Sequence, residues 1–347
     1  MRANVTQEIS RLVEPVLRRA DVAVVRRSRV DALQAKLDEV YDNRAAPAPA
    51  PALPPGAEEV LRADHPELAD YERRYAGHPA ADPSQWSRDY VRKTIELRSF
   101  RGNNSYVWQR WDAADPFRYG LTTYYTRLHD RLGLLDRLHE DGLFDAETYD
   151  VDGVRVSRDL LDSINELTFL DDELGLSTRD VTILDIGAGY GRLAHRATTA
   201  FPNVRFVCTD AVPLSTFLSH YYLELRGVAD RAAVVALDEI EDAVGRTQID
   251  VAVNIHSFAE CPLRAIEWWL DLLSRSTVRH LLIVPNTKTR LLSKERNAPR
   301  RDFRPLVEAA GFELVRMRPK YGDSDFMQKH GLHGQFPMYY FLFTRRK

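Results

Sequence analysis

The chain has 347 residues, 44% of them hydrophobic, enough for one large domain or two ordinary ones around a sizeable core. Its 48 basic and 51 acidic side chains leave a formal net charge of -3, which argues against nucleic acid or an anionic membrane surface as partner, because either favours a basic face. Cys208 and Cys261 form no CxxC or zinc-ligand pattern, the start MRANVTQEIS has no apolar signal region, and no run approaches the roughly 18 apolar residues of a membrane span, so a cytoplasmic small-molecule enzyme is the expectation.

Along residues 5–41, Val5, Ile9, Leu12, Val13 and Val16 recur at helical spacing, and so do Leu33, Leu37 and Val40. This predicts an N-terminal helical element, residues 1–44, whose apolar stripe could pair two copies as a homodimer. Residues 45–56, AAPAPAPALPPG, read as a semi-rigid linker, since proline removes backbone donors and favours extended chain. Residues 57–176 form a helical substrate or lid region. Residues 57–147 look mainly helical, with aromatics concentrated from Trp86 to Tyr125 and turns at RGNN (101–104) and AADP (113–116). A further helix over 157–174 has Leu160, Leu161, Ile164, Leu167 and Phe169 on one apolar side.

From 177 to 347 the pattern changes. Short apolar runs, VTILDI, VRFVCT, AAVVAL, DVAVNI and HLLIVP, alternate with helix-length segments. That alternation predicts an α/β domain with a parallel sheet covered on both faces. ELVRMRP and MYYFLFTR close the chain with no helix-length pattern between them, which predicts an antiparallel terminal hairpin on the sheet.

The sharpest signal is LDIGAGYGRL, residues 184–193, where a strand ends at Ile186, glycines stand at 187, 189 and 191, and a helix begins. Glycine permits conformations and close backbone approach that other residues do not, and ligands of open α/β sheets bind at strand carboxyl ends. The dinucleotide pattern G-x-G-x-x-G would place its last glycine where Arg192 stands, and no P-loop lysine is present. The pattern is instead D-x-G-x-G-x-G, from Asp185 to Gly191, and it resembles motif I of class I S-adenosylmethionine (SAM) dependent methyltransferases. The resemblance implies a Rossmann-like sheet, parallel except for a reversed terminal strand, and SAM as cofactor. It implies that Asp185, Gly187, Ala188, Gly189, Tyr190 and Gly191 meet the amino-acid half of that cofactor.

Asp210 ends the second strand, where an ionised carboxylate can accept both ribose hydroxyls, and Ala211 follows it. Asp238, after the third strand, is placed either to meet the adenine or to cap a helix. The fourth strand runs into HSFAEC. Methyl transfer to an alcohol needs the oxygen aligned and its proton removed, and neutral His256 at the strand's end suits that role. It could alternatively bond the loop backbone. Glu260, four residues on, could orient His256, bind substrate or stabilise the following helix, while Asn254 and Ser257 could hold the loop or touch the cofactor. The tail SDFMQKHGLHGQFP holds Asp323, Asp325, His330 and His333, but without a recognisable metal spacing, so no metal is expected.

From about residue 100 onward, SFRGNNSYVWQ, EDGLFDAETY, VSRDLLDSINELTFL, DIGAGYGRLA and NIHSFAE together resemble the sugar O-methyltransferase family of actinobacterial natural-product clusters. That resemblance implies a glycoside or free-sugar hydroxyl as acceptor and a lid formed by the helices before the SAM domain. On it, Tyr106, Trp108, Trp111, Tyr119 and Tyr124 are candidates to stack on a glycoside or to fill the helical core, and Arg158, Ser163 and His333 are candidate substrate contacts. A non-sugar acceptor (phenol, carboxylate or amine) and a catalytically silent SAM-fold partner protein are the alternatives.

Overall fold

The computed structural model describes residues 45–47, 51–81, 86–109, 115–322, 324–332 and 338–346. The helix expected over 5–41 lies outside them. Residues from Ala46 onward form one unit, which is described here. Ahead of the sheet, the longer helices α1 (Pro66–Arg74), α2 (Arg88–Thr94) and α3 (Asp115–His129) alternate with 3-10 turns, loops and two four-residue helices, Ala57–Val60 and Leu134–Arg137. This stretch is less helical than its sequence suggests. Ser87 caps α2 by accepting from Tyr90 N at 3.2 Å, but after Leu97–Gly102 the side chains of Asn103 and Asn104 take the backbone N–H groups of Ser105 (2.8 Å) and Gln109 (3.0 Å). Such local bonds compete with a helix and hold the chain in turns. A hairpin that the sequence did not announce follows, with β1 (Thr148–Val151) antiparallel to β2 (Val154–Ser157).

Helix α4 (Arg158–Leu174) starts where Ser157 accepts from Leu160 N at 3.1 Å and stops at Gly175, whose φ of 68° suits a left-handed cap. Its apolar residues are buried as the periodicity predicts. Its polar side is buried as well, because Asp159, Asp162 and Glu166 each meet a basic group from another element.

The runs after residue 180 become β3 (Val181–Ile186), β4 (Val204–Thr209), β5 (Ala232–Val234), β6 (Val251–Ile255), β7 (His280–Val284), β8 (Phe312–Pro319) and β9 (Tyr339–Arg345). The sheet order is β5-β4-β3-β6-β7-β9-β8. The first five strands run parallel, and β9 lies antiparallel between β7 and β8. This is the Rossmann-like sheet with a reversed terminal strand that the glycine motif implies. Helices α5 (Arg192–Ala200), α6 (Pro213–Leu225), α7 (Ile240–Arg246), α8 (Leu263–Ser274) and α9 (Arg304–Ala309) link the strands, and a short α10 (Asp325–His330) stands where a loop was expected before β9. Strands buried on both faces, such as β6 and β7, read as continuous apolar runs for that reason. The crevice falls between β3 and β6, where the chain stops building the sheet in one direction and starts in the other.

A cluster of buried charges joins the segments before α4 to the sheet domain. Arg101 donates to Glu140 Oε2 (2.8 Å) and Asp159 Oδ2 (2.7 Å), and Arg196 of α5 donates to the same Glu140 atom (2.8 Å) and to Asp159 Oδ1 (2.9 Å). Burial alone would raise both carboxyls, but the two guanidinium groups hold Glu140 and Asp159 below the usual carboxylate range. Removing one partner of such a cluster strands charge in a place that water does not reach. Arg101→Met should therefore cost about 3–5 kcal/mol, seen as a lower midpoint in chemical denaturation. A change near zero would show that the cluster does not hold the lid region in place.

Candidate functional site

The glycine loop follows β3 and leads into α5. Gly187 has φ 74°, and a Cβ there would sit 2.3 Å from Ser257 Oγ, so both its conformation and the packing of Ser257 exclude a side chain. Gly191 (φ 83°) approaches Leu223 and Ser219 of α6 in the same way. The loop's amides are anchored: Gly187 N and Ala188 N donate to Thr209 O at 2.9 and 3.1 Å, and Gly189 N donates to Asp210 Oδ2 at 2.9 Å. Asp210 Oδ1 also accepts from Val212 N at 2.8 Å. With two lone pairs on each oxygen, the carboxylate is not saturated by these donors.

Above this floor opens a cleft of about 700 Å³. Asp185, Gly187, Ala188, Gly189, Tyr190, Asp210, Ala211, His256, Ser257 and Glu260 line it, with Tyr106 and Arg158 from the lid side. Tyr106 bonds Ser215 Oγ at 3.1 Å and packs edge-on against Tyr190, with ring centroids 5.5 Å apart, directly over Gly189. His256 takes a backbone φ of 68°, unusual for a residue with a side chain. The conformation is held by His256 N donating to Val284 O at 2.8 Å and Ala259 N donating to His256 O at 3.0 Å. The imidazole Nε2 lies 3.1 Å from Met338 Sδ. Glu260 accepts from Trp86 Nε1 at 2.6 Å and from Asn286 Nδ2 at 3.1 Å.

Three carboxyls share the cleft, Asp185 and Asp210 buried and Glu260 half-buried, and loss of solvation raises each above the usual carboxylate range. Burial pushes Asp185 up to about 7, with Arg192 pulling the other way and Glu166 and Asp210 adding to the rise. Burial pushes Asp210 up to about 6 against the backbone donors of Val212, Gly189 and Ala211. Burial pushes Glu260 up to about 7, opposed by the Trp86 N–H and by Lys294 and Arg300, and aided by Asp210. A cleft built this way favours a ligand that brings positive charge and hydrogen-bond donors.

Other candidates stand elsewhere. Asp238 does not line the cleft: β5 ends at Val234, and a 3-10 turn, Leu237–Glu239, presents Asp238 to Arg74 of α1 at 2.8 Å. Ser163 donates to Asp159 O (2.7 Å) and accepts from Arg192 Nη1 (2.8 Å) inside the protein. Asn254 is a brace, donating to Ile186 O and accepting from Phe258 N, each at 2.9 Å. Tyr119 is buried against Tyr149, and Tyr124 bonds Asp152 Oδ2 at 2.6 Å, both away from the cleft, whereas Trp108 lines it. His333, Trp111 and Asp323 lie outside the described residues. Among the described residues no group of three or more His, Cys, Asp or Glu side chains could hold a metal ion, and no helix is long and apolar enough to cross a membrane.

The cleft also contains residues that sequence reasoning passed over: Trp86, Tyr90, Arg192, Asn286 and Met338. Asn286 carried a usable signal, because it stands two residues past the carboxyl end of a strand. Trp86 and Tyr90 were two aromatics among many, and only folding brought them over the loop.

Gly187→Ala should lower stability by about 1 kcal/mol or more and weaken ligand binding, because it adds backbone strain and a clash together. Adding Ser257→Gly should recover only the clash, so a double-variant denaturation cycle should show partial rescue. Full rescue would mean that the positive φ contributes nothing.

No protein-family model matches the sequence, and no curated protein matches it. Solved structures resemble it in part. TrmK of M. capricolum, in complex with S-adenosyl-homocysteine, is 13% identical over 52% of this chain and 68% of its own, with a TM-score of 0.35. StiE O-MT residues 961–1257 are 11% identical over 52% of this chain and 72% of theirs, with a TM-score of 0.39. A Galdieria sulphuraria protein provisionally described as a sarcosine dimethylglycine methyltransferase is 17% identical over 64% of this chain and 98% of its own, with a TM-score of 0.40.

Proposed function

We propose that this chain is a SAM-dependent O-methyltransferase whose acceptor is a hydroxyl of a sugar or glycoside on a natural-product scaffold. The observation that carries the methyltransferase reading is the juxtaposition, in one cleft, of the glycine cradle after β3 with Asp185, Asp210 and Glu260. The donor set fits SAM. The glycine loop brings bare backbone to the floor of the cleft, Asp210 offers acceptors for ribose hydroxyls, and the buried carboxylates suit a ligand carrying an ammonium and a sulfonium. Arg158, Tyr106 and Trp108 supply the polar and aromatic surface that a glycoside uses. The sugar itself rests on the family resemblance.

When bound, SAM supplies a methyl group activated by a positively charged sulfur. The chain's own residues do the rest. Asp210 and the closely approaching glycine loop orient the ligand, the aromatic roof of Trp86, Tyr90 and Tyr106 excludes water, and His256 at the end of β6 takes the acceptor's proton. A second assignment has support of its own. Glu260 is half-buried in the same cleft, and loss of solvation pushes its carboxyl up to about 7, the range a carboxylate base needs.

The two assignments separate cleanly. If His256 is the base, His256→Ala should lower kcat by about 10²- to 10⁴-fold with SAM affinity intact, and Glu260→Gln should leave the acid limb of the pH profile in place. The reverse pattern would assign the proton to Glu260. Near-normal kcat in both variants would remove both.

Binding should also depend on pH. The ligand prefers the charged carboxylates, which in the free protein form only as pH rises through about 6 to 7. SAM affinity should rise from pH 5 to 7 and then level off, by up to about tenfold per unit for each proton released. Asp210→Asn should flatten part of that rise and weaken binding by about ten- to a hundredfold, as expected for a hydrogen bond to a charged group. Calorimetry showing equal affinity at pH 5 and 7, or in the variant, would take Asp210 out of the site.

A further inference from the structure

Charge is unevenly placed along this chain. Residues 288–304, KTRLLSKERNAPRRDFR, hold seven basic side chains and two acidic ones, a net charge of +5 in a chain whose total is -3. The two acids are spent on backbone: Glu295 accepts from Leu263 N at 3.0 Å, and Asp302 accepts from Arg304 N at 2.9 Å. The loop is itself well anchored. Leu292 and Asp302 form an antiparallel bridge, Ser293 N donates to Arg301 O at 2.8 Å, Phe303 N donates to Leu291 O at 2.9 Å, and Leu291 and Phe303 are buried in the core. What this frame presents outward is guanidinium. Arg300 and Arg301 are both exposed. Arg300 spends only Nη1, on backbone carbonyls, and among the described residues nothing accepts from the side chain of Arg301.

The fold puts this charge at the rim of the cleft. The loop follows β7 and folds back along the turn after β6, whose Ser257, Glu260 and Cys261 line the cleft. Arg300 Nη1 donates to Ala259 O at 2.8 Å, and Lys294 N donates to Cys261 O at 2.8 Å. A shallow basin of about 370 Å³ opens at the next residue, Pro262, walled by Arg264, Arg296 and Arg301 together with Glu267 and Glu295. Carboxyls thus stand in the cleft and guanidiniums just outside it, near enough that Lys294 and Arg300 pull the Glu260 carboxyl down against its burial. Acid inside suits the positively charged cofactor. A basic rim suits a second ligand that carries negative charge directly beside the group held in the cleft. Guanidinium forks match phosphate oxygens in pairs. A neutral sugar ring has no such charge of its own, but phosphate on its anomeric carbon supplies it in that place.

We infer that the acceptor is a sugar still carrying a nucleoside diphosphate on its anomeric carbon, with the sugar in the cleft and the diphosphate on Arg300 and Arg301. The inference rests on the methyltransferase reading above and narrows its acceptor. Methylation then comes before glycosyl transfer. The methyl ether forms on the activated sugar, and a glycosyl transfer consumes it: the bond from the anomeric carbon to the diphosphate oxygen breaks, that carbon bonds to an alcohol oxygen, and the nucleoside diphosphate leaves.

The test gives the full-length protein three matched sets of acceptors: UDP-glucose and dTDP-L-rhamnose, the corresponding sugar 1-phosphates, and the neutral methyl glycosides. The wild type should use the diphosphate sugars at least about tenfold better in kcat/KM than the methyl glycosides, and the advantage should shrink as salt rises. Arg300→Gln and Arg301→Gln should each raise KM for the diphosphate sugars by about tenfold, the scale of a hydrogen bond to a charged group. Arg246→Gln, the same charge change on exposed α7, should not. Arg301 anchors no other described residue through its side chain, so its variant tests the site without loosening the loop. Sugar 1-phosphates used as well as the diphosphate sugars would assign the rim to a single phosphate and overturn the nucleoside diphosphate. Methyl glycosides used equally well, a KM unmoved in both variants, or a protein that binds S-adenosylhomocysteine yet methylates neither diphosphate sugar would overturn the inference and leave the methyltransferase reading standing. A protein that binds neither SAM nor S-adenosylhomocysteine would overturn that reading, and this inference with it.

Discussion

The buried carboxylate of Asp159 is the interaction on which the rest of the site depends. It stands at the start of α4 and receives Arg101 from the lid region, Arg196 from α5 and, at 2.9 Å, the hydroxyl of Tyr190 from the glycine loop. One group thus sets the distance between the lid, the loop and the first helix of the sheet domain. Each charge has lost its water, so the cluster is stable only when complete, and a partial version is worse than none. That makes it a registration device. It ties the segment of Arg101 to the glycine loop, and Phe100 and Tyr190, with ring centroids 5.2 Å apart, fill the space beside it.

A second constraint acts inside the cleft. Strand carboxyl ends converge on the crevice between β3 and β6, and this chain puts acidic residues there: Asp185 near the end of β3, Asp210 just beyond β4 and Glu260 in the turn after β6. Roofed by aromatics, they lose solvation and hold their protons toward neutrality. A ligand bringing cationic and hydroxyl groups relieves that tension. The strained backbone of His256 belongs with this picture. A left-handed conformation at a residue with a side chain costs on the order of 1–3 kcal/mol, and it persists here because two backbone hydrogen bonds lock the turn that aims the imidazole into the cleft.

A third layer is the set of polar partners that pass between elements. Lys320, at the end of the terminal hairpin's first strand, reaches Asp162 at 3.1 Å and Glu166 at 3.2 Å on α4, and Arg192 at the mouth of the glycine loop reaches Glu166 at 2.8 Å. The reversed end of the sheet and the glycine loop are therefore tied to the same helix. It is on the polar side of α4, rather than on its apolar one, that the lid and the sheet are matched.

Local patterns in the sequence were sufficient for the sheet. Apolar runs separated by helix-length segments, three glycines after a strand and an acidic residue ending the next strand are features that a short window contains, and Val181–Ile186 and Val204–Thr209 form where those runs stand. Asp185, Gly187, Gly189, Asp210, His256 and Glu260 could be expected to line the cleft because strand ends and crevices coincide in open α/β sheets. The hairpin Thr148–Ser157, the pairing of Asp238 with Arg74, the burial of the polar side of α4 and the contact of Trp86 with Glu260 were not legible. The hairpin is local but its strands are only four residues each, too short to show a pattern; the others join residues far apart in the chain, up to 174 positions for Trp86 and Glu260, and no local spacing encodes such a meeting. The sequence by itself determined the floor of the site, because that floor is built from backbone turns and strand termini. Only the tertiary structure decided its roof and its charge balance, because those arise where separate elements exclude water together.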